Sequence, residues 1–278
     1  MPNAIIASPQ RTPVPFGLFS VLTFSNAANE RWENGATFEG ATCGLLNGFG
    51  PLGCEDESVN GLPRTYDDRG ILWGEAQAFS VYGTFQCAPV GYSLTDAEDR
   101  AVADLVLHEE ATVEDILWHG HHGVEALESV ESIGSMSLVE AVAELEHRGA
   151  REYGAQGVIH MPRSTAMRAI AKGVLKTSGQ RLTTELGTPV VAGAGYGTVD
   201  GTANDRIVIT PPMVGRRSEA YPLGEAENLF DRGQNLMTTV AERDYLIGYD
   251  TCQPFAAEVT TYQPVEPGTY TSEYREIY

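Results

Sequence analysis

Three stretches of this chain have residue types and spacing that could carry chemistry. His119, His121 and His122 follow His108, Glu109, Glu110 and Glu114, and imidazoles beside carboxylates are a zinc ligand set. A helical zinc site of the HExxH kind needs a second histidine four residues on, but Thr112 stands four residues after His108. A solvated helix end, where histidine complements the helix dipole, is the better reading, and no metal is expected. Gly193-Ala194-Gly195-Tyr196-Gly197 follows a strand-like run and invites comparison with a dinucleotide loop. That fingerprint needs its third glycine one place later, with a helix starting there, whereas Val199 to Thr202 and Asn204 read as turn. Arg216-Arg217-Ser218-Glu219 could bind an anion. A salt-bridging edge fits better, because arginine is favoured for desolvated carboxylate pairing. There is no GxSxG, no GxxxxGK[ST] and no cysteine set beside a histidine base, so no catalytic residue and no cofactor is assigned.

The elements that must position these residues can be read from periodicity. A long helix spans Thr95 to about Trp118, with Thr95 and Glu98 as a capping box and Val102, Leu105, Val106, Val113, Ile116 and Leu117 on one face. Asp104, Glu110, Glu114 and Asp115 supply its polar positions. A second helix starts at Ser137, boxed by Glu140, carries Leu138, Val142 and Leu145 inward and ends at Gly149. A strand from Gly157 to His160 then leads through Pro162 into a third helix, Arg163 to Lys172, closed by Gly173. Strands are expected at 36–46 and 71–90, forming a two-stranded excursion with an elaborate tip, and again at 188–192, 206–210, 240–249 and 255–261. Pro2, Pro9, Pro13 and Pro15 make the first 34 residues an extended arm, and the last 15 residues read as a tail.

With 42% apolar residues in 278, the chain can bury a sizeable core. Its formal charge of −20, with two lysines and sixteen scattered arginines, excludes a surface that wraps nucleic acid by neutralising phosphates. Such acidity serves solubility, and in a container it would keep nucleic acid off the wall. Cys43, Cys54, Cys87 and Cys252 have no CxxC spacing, so neither a zinc ribbon nor a disulfide framework is suggested, and reduced, cytoplasmic thiols are the default. The apolar run Phe16 to Phe24 is too short to span a bilayer. With Pro13, Pro15 and a single Arg11 before it it makes a poor signal peptide. It reads instead as a buried strand or an arm docking on a neighbour.

Specific stretches carry a resemblance. VYGTFQCAPVGYSLTDAEDRA leads into the long helix, VEDILWHGHHG ends it, and LVEAVAELEHRG is followed by GVIHMPRSTAMRAIAKG. TELGTPVVAGAGYG, RIVITPPMVGRRSE and VAERDYLIGYDTCQPFAAEV complete the series. In content and order, over roughly residues 80 to 262, these resemble the major capsid proteins of tailed bacteriophages, particularly actinobacteriophages, whose Hong Kong 97 type fold is shared with encapsulins. The resemblance implies an α+β chain divided into an N-terminal arm (1–34), an extended loop (35–80), a peripheral domain with the long "spine" helix (81–136), an axial domain (137–239), return strands of the peripheral domain (240–263) and a C-terminal tail (264–278). It implies a structural, non-enzymatic subunit that self-assembles into hexamers and pentamers of an icosahedral head around double-stranded DNA, in a virion assembled in the host cytoplasm. Scaffold, portal or decoration proteins are its further expected partners; sequence-specific nucleic-acid binding and membrane association are not expected. An encapsulin shell, a decoration or tail-tube protein and, more remotely, a hydrolase are the alternatives. In a shell, Arg216 and Arg217 become candidates for inter-subunit contact. Lysines are too few for the Lys–Asn cross-linking known in some relatives.

Overall fold

A computed structural model describes residues 11–25, 32, 34–40, 42–45, 72–89, 93–197, 205–223 and 230–260. The expectations for the first ten residues, for the tip between residues 46 and 71 and for the tail from 264 onward lie outside the described residues.

The strands are β1 (Ala36–Gly40), β2 (Leu72–Ala76), β3 (Ala78–Cys87), β4 (Ser132–Met136), β5 (Val158–Pro162), β6 (Leu175–Ser178), β7 (Arg181–Thr184), β8 (Pro189–Gly193), β9 (Arg206–Thr210), β10 (Met213–Arg217), β11 (Tyr221–Pro222), β12 (Phe230–Asp231), β13 (Leu236–Tyr249) and β14 (Phe255–Val259). The helices are α1 (Leu94–His119), α2 (Leu138–Tyr153) and α3 (Arg163–Ala171). β1 and β2 form an antiparallel pair in which Ala36 faces Ala76 and Gly40 faces Leu72, consistent with a two-stranded excursion.

A seven-stranded sheet runs β4-β14-β9-β5-β8-β7-β6, and its central strands are buried on both faces. Alternation sorts their side chains into two cores. Ile159, Met161, Val190, Ala192, Ile207, Ile209 and Ala257 pack with Leu138, Val142 and Leu145 of α2 and Ala166 and Ala169 of α3. Val158, Val191, Val208 and Ala256 point the other way and join Val113, Ile116, Leu117 and Trp118 at the end of α1. That sheet is therefore the middle layer between α1 and the α2–α3 pair. A second sheet is organised by β13, which pairs antiparallel with β3 along ten residues, from Met237↔Cys87 to Leu246↔Ala78, and with β10, β11 and β12 on its other side. Phe79 and Val81 of β3 join the core around α1, while Tyr82 is exposed. β3 crosses α1 closely at Gly83, where a Cβ would stand 2.5 Å from the Leu105 amide nitrogen; no larger residue fits there.

Several boundaries differ from the sequence expectation. α1 is capped by Ser93 with Asp96, a reciprocal box two residues ahead of the expected Thr95–Glu98 pair. On its inward face Leu105, Val113, Ile116 and Leu117 are buried, but Val106 is exposed. α2 keeps its Ser137–Glu140 box but runs past Gly149 to Tyr153, with Gly154 in the left-handed cap. Gly149 lies inside the helix because Ile209 presses on it: a Cβ would come 2.6 Å from Ile209 Cδ1. The expectation of reduced thiols is also corrected. Cys43 and Cys252 are joined as a disulfide, a pairing hidden in the sequence because 209 residues separate them and the fold alone brings them together.

Candidate functional site

Among the described residues a dense polar constellation seats residues 13–25, built on two acidic residues of α1, Glu110 and Glu114, and on the two arginines of β10. The segment makes a short 3-10 turn at Leu18–Ser20, whose first two amides, those of Leu18 and Phe19, find no carbonyl within the turn. α1 satisfies them. Leu18 N–H donates to Glu114 Oε1 at 2.8 Å and Phe19 N–H to Glu110 Oε1 at 2.7 Å. From the opposite side, Ala194 and Gly195 N–H donate to Glu114 Oε2 at 2.7 and 3.0 Å. One carboxylate thus ties the N-terminal segment, α1 and the turn after β8 together. The amides a phosphate-binding loop would offer at Ala194 and Gly195 are already engaged by the chain itself.

Electrostatics follow from this burial. Burial pushes the Glu114 carboxyl up to about 7 from 4.5, against the three amides that favour its charged form, and Glu110 repels it further. Glu110 is raised by burial too, with the Phe19 amide acting against it. Arg163 partly compensates Glu110 and also donates to Pro15 O at 2.8 Å and Ala192 O at 3.3 Å. Gly17 is pinned over the acid pair, since a Cβ there would stand 2.6 Å from Glu110 Cδ and 2.7 Å from Glu114 Oε1. Beneath it, Phe16 is held at φ 69°, a left-handed conformation uncommon for a bulky residue, by donation from Ala192 N–H to its carbonyl at 2.8 Å. The space lined by Pro13, Val14, Gly17, Glu110, Glu114 and Arg163 is a cavity of about 30 Å³, room for a water molecule or two and not for an organic substrate.

Arg216 and Arg217 sit on β10 opposite Leu246 and Tyr245 of β13. Arg217 lies over the Phe24 ring at 4.7 Å and the Phe19 ring at 6.0 Å, and Arg216 donates to Ser25 Oγ. Both arginines reach residues of their own chain, and the Phe16–Phe24 run docks on that same chain. The sequence groups Glu109 and Glu114 with the histidines as possible metal ligands, and Glu114 also with the polar positions of the helix; the structure buries both and turns each to a separate structural tie. Glu109 accepts from Arg243 Nη1 on both carboxylate oxygens, at 2.7 and 2.8 Å, and from the Tyr245 hydroxyl at 2.7 Å, forming a buried ion pair.

The histidine cluster does not close into a ligand set, although the His119 and His121 rings lie 5.9 Å apart beside Asp115. His119 is buried with Glu128 Oε1 3.0 Å from Nδ1 and Asp115 Oδ1 3.6 Å from Nε2, so its carboxylates lie at opposite ring nitrogens and do not converge on one point. His108 is exposed beside Asp104, and the side chain of His122 lies outside the described residues. Among the described residues no cluster of three or more such side chains could hold a metal ion. His160 is fully buried, with Tyr196 Oη 2.8 Å from Nδ1 and Thr210 Oγ1 3.0 Å from Nε2. Burial lowers its pKa to about 3, keeping the ring neutral as a cross-brace between β5, β9 and Tyr196.

The comparisons with known proteins bear on the fold. No protein-family model and no curated protein matches the chain. Solved structures do match: the capsid of a native GTA particle (TM-score 0.56, 12% identity, 94% of this chain and 95% of that one), a chain from Mycobacterium phage Adephagia (0.54, 11%, 93% and 96%) and the holo-SrpI encapsulin complex from Synechococcus elongatus PCC 7942 (0.55, 12%, 95% and 95%). At these identities the likeness is one of fold, and it extends over almost the whole chain.

Proposed function

We propose that this chain, which has the Hong Kong 97 type fold, is a major capsid subunit that self-assembles into hexamers and pentamers of an icosahedral phage head enclosing double-stranded DNA. The observation that carries the reading is the end-to-end match to a particle capsid, 94% of this chain against 95% of the other, which leaves little of the chain for a separate activity. Its charge of −20 suits an inner wall that does not bind the packaged polymer. In this reading the chain is not an enzyme, and its mechanism is burial of complementary surfaces between copies. The divisions at residues 34, 80, 136, 239 and 263 belong to the same proposal, as do the virion location, assembly in a host cytoplasm, and scaffold, portal or decoration partners. So does inter-subunit contact through Arg216 and Arg217, which would act from the docked segment they clasp.

An encapsulin shell is the second reading, favoured by the match to an encapsulin over 95% of both chains. Electron microscopy of the purified chain tests what the two share. Closed icosahedral shells are expected; monomers, rings or tubes at all concentrations would overturn both. Particles recovered from the source separate them, since nuclease-protected DNA marks a head and an enclosed enzyme marks an encapsulin.

A further inference from the structure

We propose that Cys43 and Cys252 form a redox-operated clamp that fastens the chain leaving β1 to the turn between β13 and β14. Three independent contacts converge at this place. The disulfide joins the two residues with Cα atoms 5.5 Å apart. Gly44 N–H donates to Glu152 O, in the last turn of α2, at 2.6 Å. The end of β1 abuts the turn itself, because a Cβ on Gly40 would meet the Thr251 side chain. The turn is anchored in its own right by donation from Asp250 N–H to Pro212 O at 3.0 Å. Cys252 is 3% exposed inside the α2 core, and Cys43 is half-buried at its rim. The noncovalent contacts therefore hold the two sulfurs adjacent once the chain has folded, and the half-buried Cys43 is the sulfur that reagents reach first.

Closure needs a two-electron oxidant, and a small-molecule disulfide such as oxidised glutathione supplies it. The Cys43 thiolate attacks one glutathione sulfur, forming a mixed disulfide and releasing one glutathione thiol. The Cys252 thiolate then attacks the Cys43 sulfur and releases the second. The two protein thiols lose two electrons and two protons, which the two glutathione thiols carry away. In a reducing compartment the chain folds open-clamped, and it locks on passing to an oxidising one. The clamp is a property of the single chain and goes beyond the shell reading, so it stands or falls separately from it.

The test compares full-length protein held in reductant with protein treated with oxidised glutathione, alongside Cys43→Ala and Cys87→Ser variants. After oxidation, peptide mapping without reduction should show Cys43 linked to Cys252 in wild type and in Cys87→Ser. Amides of residues 36–40, 42–45 and 250–252 should exchange with deuterium about tenfold more slowly in the oxidised protein, with β5 and β9 unchanged. Cys43→Ala should exchange at the reduced rate under both conditions, and reduced wild type serves the same comparison without any substitution. Equal exchange in the two states, or Cys43 linked instead to Cys54 or Cys87, would overturn the clamp.

Discussion

Glu114 shows most directly how a single buried group sets solution behaviour. Its carboxyl is raised from 4.5 to about 7, so the stability it contributes is full below 4.5 and is lost as pH rises through about 7. His160 runs the opposite way. Its pKa is depressed from 6.5 to about 3, so its contribution is present above 6.5 and lost as pH falls through about 3. Between 6.5 and 4.5 the two oppose each other. Glu114→Gln removes the opposing gain, and its melting temperature should fall more steeply than that of wild type on acidification across that window; parallel profiles would mean that Glu114 titrates alike in the folded and unfolded chains. Gly17→Ala, which drives a methyl group into both carboxylates, should cost about 1–3 kcal/mol by denaturant unfolding. Little of this was legible beforehand. Periodicity placed Glu110 and Glu114 on the polar stripe of a helix, and nothing local announces that the donor to Glu114 lies 96 residues away. The sequence did single out Arg216 and Arg217 as a charged edge, but their aromatic and hydroxyl partners in residues 19–25 come from the tertiary fold.

Among the elements, the helices were legible because their signals are local: a capping residue, an apolar stripe and a glycine stop. Errors arose where two local signals competed. Ser93 and Thr95 both begin a box-like pattern, and Gly149 looks like a stop although its lack of a side chain admits Ile209. β4 (SIGSM) and β10 (MVGRR) are not legible as strands because each is short, contains glycine and lacks alternation; they are strands because β14 and β13 offer them a ladder. The α1 assignment has a sharp test. Leu105 is 1% exposed beneath Gly83 of β3, so Leu105→Asp buries an unpaired charge and should cost several kcal/mol. An insoluble or unassembled chain is expected, and wild-type yield in soluble, assembled form would contradict the packing described for this helix.

At the scale of the whole molecule, the order of elements carried the fold. Excursion, long helix, mixed sheet and returning strands appear in sequence as a succession of patterns, and the structural matches extend over 93–95% of the chain that carries it. Under the proposed shell reading, copies of a chain with formal charge −20 must overcome self-repulsion to assemble, and salt screens that repulsion over about 8 Å at physiological strength. Replacing Arg216 and Arg217 with Glu takes the charge to −24, two units for each exchange. Circular dichroism should remain that of a folded chain while shells fail to close in low salt. Recovery in high salt would assign the two arginines to contacts between subunits, whereas a salt-independent defect would assign them to the seat of Phe19 and Phe24. Assembly equal to wild type at every salt concentration would place the interface elsewhere. The pairing of β13 with β3 has a consequence in time. Thr239 and its partner Phe85 are 154 residues apart, so at synthesis rates of roughly 5–20 residues per second β3 waits about 8–30 s for the strand that completes its sheet. During that interval the nascent chain carries Phe79, Val81 and the facing side of α1 without β13, and the ribosome-bound intermediate becomes a natural client for a chaperone.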